Sequence, residues 1–115
     1  MQSVVEMPEF MRCAKKLGLS NDERESIINI IASNPDAGDE IVGTGGMRKI
    51  RVASKGKGKS GGYRVITFFS GIDIPVFLIT IYAKNQKENI TDKEKKVLKT
   101  LSNSLVEIYK GKNNE

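Results

Sequence analysis

Three segments between Met47 and Lys84 leave this chain little choice of fold. Met47 to Ala53 alternates, with Ile50 and Val52 pointing one way and Lys49 and Arg51 the other. That two-residue repeat is a strand with one face in a core and a basic opposite face. Tyr63 to Phe69 is apolar on both faces, as in a strand at the centre of a sheet. Val76 to Lys84 reads as a third strand, with Phe77, Ile79 and Ile81 on one face and Thr80, Tyr82 and Lys84 on the other. Lys55 to Gly62 is too rich in glycine and charge to continue a strand and reads as a mobile hairpin loop. Ser70 to Pro75 is a turn, so the three strands pair antiparallel.

The flanks are helical. Ser3 to Glu6 is extended and short, an edge strand at most. Pro8 suits the first turn of a helix, and Phe10, Cys13, Ala14 and Leu17 align on one side before Gly18 ends it. Ser20-Asn21-Asp22-Glu23 is a capping box that opens a second helix to about Ser33, with Ile27, Ile28, Ile30 and Ile31 as its buried stripe. Asn34-Pro35 stops that helix, and Pro35 to Asp39 is a turn. Thr91-Asp92-Lys93-Glu94 is another capping box. The helix it opens runs to about Tyr109 with Val97, Leu98, Leu101, Leu105 and Ile108 apolar, and Gly111 to Glu115 reads as a frayed tail. The order is strand, two helices, three antiparallel strands, helix: an α+β sandwich. At 115 residues the whole chain, 1–115, reads as one domain with one modest core.

Charge is concentrated on the same strands. No acidic residue stands between Glu40 and Asp73, while that interval holds seven Lys or Arg and eight of the eleven glycines. A solvated loop usually mixes signs; a one-sign run on flexible backbone points to a polyanion, most simply nucleic acid. The net charge of +5 agrees. With no histidine and one cysteine, a zinc site and a Ser-His or Cys-His nucleophile are excluded. Cys13 reads as a small buried apolar residue. The start of the chain is not a signal peptide, and no apolar run reaches the roughly 20 residues that span a bilayer. The expectation is a cytoplasmic protein with no membrane partner.

Two phosphate-binding patterns fail on context. Gly56-Lys57-Gly58-Lys59-Ser60-Gly61 fits GxGxxG, but a strand follows it rather than a helix. Gly58-Lys59-Ser60 resembles the end of a P-loop, but Ala53 stands where the first glycine belongs. What remains is geometric. Lys49 and Arg51 on the first strand, Arg64 on the second, and Tyr82 and Lys84 on the third can share one face. The Lys55, Lys57 and Lys59 loop would hang beside that patch and, with Arg48, add cations for binding a polyanion. Such cations stabilise charge that develops on a phosphate without metal or other cofactor. Crowded positive charge also lowers the pKa of a lysine or tyrosine toward that of a general base. Composition alone favours binding over catalysis.

The run GTGGMRKIRVASKGKGKSGGYRVI followed by FLITIYAKN resembles the HigB-type branch of the RelE/ParE superfamily of toxins from type II toxin-antitoxin modules. The resemblance covers most of the chain, including NPDAGDEIVGTGG and the late Thr-Asp-Lys-Glu helix start. It implies a RelE-like fold, one small sheet with two N-terminal helices packed on it and a C-terminal helix. It also implies a metal-independent mRNA interferase: an endoribonuclease that enters the 30S A site and cleaves the mRNA there, the ribose 2′-OH attacking the adjacent phosphorus. The family's two basic strand residues match Lys49 and Arg51, its arginine after Gly-aromatic matches Arg64 in Gly62-Tyr63-Arg64, and its basic residue after the last strand matches Lys84. Tyr82 can stack on a base. The C-terminal catalytic tyrosine of some members has no match here, since Tyr109 lies inside the last helix. The general base stays open among Lys49, Arg51 and Tyr82, with Lys49 preferred because arginine is nearly always protonated.

The implied partners are the ribosome with its rRNA, mRNA, and a HigA-like helix-turn-helix antitoxin through which alone operator DNA would be bound. Two alternatives carry the same fold: a ParE-like toxin that poisons DNA gyrase, and an RNA- or ribosome-binding module without catalysis.

Overall fold

The computed structural model describes residues 1–53, 62–87 and 89–113. Among them lie five strands, β1 (Val4–Glu6), β2 (Asp39–Glu40), β3 (Met47–Val52), β4 (Tyr63–Phe68) and β5 (Val76–Ala83). Three α-helices accompany these, α1 (Pro8–Lys16), α2 (Asn21–Ser33) and α3 (Asp92–Asn113), with a 3-10 turn at Lys84–Gln86. The fold is α+β, as the sequence predicts, and the sheet order is β1-β5-β4-β3-β2. β4 is central and antiparallel to both β3 and β5. The sheet is mixed rather than purely antiparallel, because β1 pairs parallel with β5. β2 is a further short strand, antiparallel to β3, where the chain after Pro35 reads as a turn.

α1 and α2 cover one face of the sheet. Phe10, Ala14, Ile27 and Ile31 pack there against Ile50, Tyr63, Val65, Val76, Leu78, Ile81 and Ala83. Burying each large side chain of this set stabilises the fold by about 1.5–3 kcal/mol. Both helix boundaries follow local chemistry. Gly18, at φ +76°, turns the chain out of α1. Ser20 Oγ accepts from the Glu23 amide while Glu23 accepts from the Ser20 amide, the reciprocal cap that opens α2. The Arg24 guanidinium on α2 donates to Glu6 of β1 at 2.8 Å. Ile30 departs from its expected burial: it is 45% exposed, because Ile27, Ile31 and Ala32 already fill the sheet-facing side.

α3 covers the other face. Leu98 and Leu105 pack on Met47, Ile66, Phe68, Phe77, Ile79 and Tyr82. Tyr109 sets its ring edge-on to Phe77, 5.4 Å between centroids. Val97 and Ile108, expected in the stripe, are 63% and 54% exposed. The helix continues to Asn113, so Gly111 to Asn113 belong to it rather than to a tail.

The Gly43–Gly46 turn fastens α3 to the sheet. Thr44 is fully buried; its hydroxyl donates to Ile41 O and accepts from the Met47 amide. The Ser102 hydroxyl lies 2.9 Å from both Thr44 O and Lys99 O, and its one proton serves one of them at a time. Gly45 sits at φ +74°, and a Cβ there would come 2.5 Å from Ser102 Oγ. This part of the glycine-rich run is a packing device.

Candidate RNA-binding and catalytic face

Three strands deliver the predicted residues to one face. Arg51 lies opposite Arg64 in the β3–β4 register, and Arg64 lies opposite Tyr82 in the β4–β5 register. Two strand spacings separate the ends of this row, roughly 10 Å. Lys49 stands two residues back along β3, roughly 7 Å from Arg51. Alternation puts Lys49, Arg51 and Met47 on the α3 side, with Ile50 and Val52 toward α1 and α2.

Tyr82 reaches this face through a β-bulge. The β4–β5 register slips between Ile66 and Thr67, whose partners are Thr80 and Leu78, so Ile79 is an extra residue. Strict alternation groups Phe77, Ile79 and Ile81 together; the bulge instead sends Ile81 into the α1/α2 core and leaves Phe77, Ile79 and Tyr82 on the α3 side. Without it Tyr82 would share the face of Leu78, away from Arg64.

The remaining predicted residues are placed differently. Lys84 lies past the end of β5 as the first residue of the 3-10 turn, exposed, its amide donating to Gly62 O at 3.1 Å. Arg48 is on the opposite face from Lys49, and its guanidinium donates to Gly38 O at 3.0 Å. Lys55, Lys57 and Lys59, with the GxGxxG pattern around them, lie outside the described residues.

Electrostatics give each member a distinct setting. Lys49 lies opposite Asp39 in the β2–β3 register and lines a polar cleft of about 240 Å³ with Glu40, Ile90 and Lys95. Arg51 is exposed; Arg64 is half-buried and donates to Tyr63 O. Tyr82 is only 9% exposed, and its hydroxyl has no partner among the described residues. Burial pushes its phenol above the ordinary value, outweighing the lowering by Arg64, and Glu94 raises it further. The lowering that crowded positive charge gives Tyr82 is thus present, through Arg64, but burial outweighs it.

Sequence reasoning missed what covers Tyr82. The Lys87 ammonium lies 5.6 Å from the centre of the Tyr82 ring and forms an ion pair with Glu94. The other carboxylate oxygen of Glu94 accepts from the Thr91 amide at 2.9 Å, completing the cap of α3. The hydrogen bond from Lys87, then that cap, holds Glu94 below the usual carboxylate range. The Thr91–Glu94 cap is legible in the sequence; Lys87 carries no signal, because a 3-10 turn rather than a strand brings it back over Tyr82. Beside this pair lies an apolar groove of about 600 Å³ between α1, β5 and α3, walled by Met7, Ile79, Ile81, Leu98 and Leu101. Cys13 sits half-buried on that groove, its Sγ 3.6 Å from a Glu9 carboxylate oxygen and 3.7 Å from Thr80 Oγ. It is less buried than its type suggests.

Arg51, Arg64 and Tyr82 stand in one cross-strand row with Lys49 alongside, an arrangement whose charge suits a polyanionic chain. The chain is a member of the RelE toxin family: the family model described as RelE toxin of RelE / RelB toxin-antitoxin system matches residues 3–114. It is thus the toxin half of a toxin-antitoxin module, with an antitoxin as its partner. Among the described residues no helix is long and apolar enough to cross a membrane, and no group of His, Cys, Asp and Glu is arranged to hold a metal ion.

Proposed function

We propose that this toxin is a ribosome-dependent mRNA endonuclease of the HigB type, acting as one domain over 1–115 in the cytoplasm and cleaving mRNA in the ribosomal A site without a metal ion. The observation that carries this reading is the Arg51–Arg64–Tyr82 row with Lys49 beside it, on one face of a RelE-family sheet. In its neutral form Lys49 accepts the proton of a ribose 2′-OH as that oxygen bonds to phosphorus. Arg51 and Arg64 bind the non-bridging oxygens and stabilise the charge they gain in the transition state. The P–O5′ bond breaks, the 5′-oxygen takes up a proton, and a 2′,3′-cyclic phosphate remains. Lys84 contributes a further cation at the end of β5, and the Tyr82 ring offers a surface for a base once its cover moves. Arg48, Lys55, Lys57 and Lys59 serve as contacts to RNA or ribosome outside the chemistry.

The partner antitoxin is proposed to be HigA-like, with a helix-turn-helix through which the pair reaches operator DNA. Incubating purified toxin with ribosomes carrying a defined mRNA, then mapping ends, tests the reading. Cuts confined to the A-site codon support it. Intact mRNA with loss of gyrase supercoiling activity would make this a gyrase poison. Intact mRNA with tight, salt-sensitive ribosome binding would leave a binding module.

A further inference from the structure

We propose that Lys87 is an additional RNA-phosphate contact of this face, and that Glu94 holds its ammonium over Tyr82 until a substrate phosphate takes the carboxylate's place. The inference rests on the RNA reading above and deepens it.

Two features of the geometry lead there. First, the Lys87–Glu94 pair stands at the Tyr82 end of the cross-strand row, and Tyr82 lies directly opposite Arg64. Cross-strand neighbours have Cβ atoms about 5 Å apart, so a phosphate seated on Arg64 comes within the swing of a four-carbon lysine stem. Second, Glu94 is fixed independently of Lys87. One of its oxygens is committed to the Thr91 amide, while the other faces Lys87. The carboxylate therefore stays in place when Lys87 leaves, and the ammonium returns when RNA departs. Side chains of the pair are 33% and 37% exposed, and pairs this open to water are weak, so a phosphate can break it. Movement of Lys87 also opens an approach to the ring of Tyr82, over which its ammonium stands. Glu94 is thus a placeholder anion that keeps the site neutral at this end and the tyrosine covered.

Binding to a ten-nucleotide single-stranded RNA, measured by fluorescence anisotropy across a salt series, tests this with four variants. Lys87→Gln removes the contact, and the slope of log affinity against log salt should fall by about 0.7, the value for one phosphate on a single strand. Lys87→Arg should restore the slope. Glu94→Gln keeps the helix cap, since glutamine serves at that position. It should bind several-fold tighter than wild type because no carboxylate competes. Glu25→Gln on the exposed side of α2 changes net charge equally and should not tighten binding, being screened beyond about 8–10 Å. An unchanged slope in Lys87→Gln, or Glu94→Gln no tighter than Glu25→Gln, overturns the proposal while leaving the RNA reading intact. Wild type without salt-sensitive RNA binding overturns both.

Discussion

Tyr82 joins stability to function in a way that one atom can test. Its hydroxyl is buried without a partner among the described residues, and a buried polar group in that condition costs about 1–3 kcal/mol. Tyr82→Phe removes that cost and keeps the ring in the core cluster that holds Leu98 and Ile79. We expect the variant to be more stable by about 1 kcal/mol, roughly 4 °C in Tm for a chain of 115 residues. Urea unfolding at pH 7 measures the first quantity and thermal melting the second. Ionisation gives a further check. Burial raises the folded phenol's pKa above its ordinary 10.0, so its contribution is fully present below pH 10 and is lost as pH rises through the raised value. Wild type should therefore lose stability above pH 10 that Tyr82→Phe does not lose. If the hydroxyl meets a phosphate oxygen during cleavage, the same variant should cut RNA roughly tenfold more slowly, the equivalent of about 1.5 kcal/mol. A Tyr82→Phe protein destabilised by 1 kcal/mol or more would refute the reasoning, because the hydroxyl would then have a partner in the folded state.

Three other outcomes follow from the packing and the charges. Ser102→Ala strands the buried Thr44 carbonyl and should destabilise by about 1–3 kcal/mol in urea unfolding. Gly45→Ala adds backbone strain of about 1–2 kcal/mol and a clash with Ser102 Oγ, and should cost more than the strain alone. The depressed Glu94 carboxylate contributes stability above its ordinary 4.5 that is lost as pH falls through its lower folded value. Melting curves from pH 7 to pH 3 should therefore fall less steeply for Glu94→Gln than for wild type, and parallel curves would count against the ion pair.

How far the sequence reached depends on which interactions are local. Both capping boxes, the end of α2 at Pro35 and the central place of Tyr63–Phe68 were legible, because each follows from residues a few positions apart. The cationic strands were legible for the same reason: alternation around Ile50 fixes Lys49 and Arg51 on one side. The phase of β5 was not. A bulge depends on how β4 and β5 register against each other, and nothing within Val76–Ala83 announces it. The parallel pairing of β1 is equally non-local, since it is set where Val4–Glu6 meets Val76–Leu78 after the chain has crossed the sheet. Lys87 was invisible because its position over Tyr82 depends on a turn and on Glu94, seven positions later. The glycine-rich run changed meaning in part: Gly43–Gly46 locks α3 through Thr44 and Ser102.

The central claim is that the Arg51–Arg64–Tyr82 row cleaves mRNA during translation. The measurement that bears on it most directly is primer extension on cellular mRNA after tightly controlled induction of wild type and of Arg64→Ala, with folding of the variant checked by circular dichroism. The account predicts codon-linked cuts and growth arrest for wild type, and neither for a folded Arg64→Ala protein. Intact mRNA after wild-type induction, or full toxicity with unchanged cuts from Arg64→Ala, would contradict it.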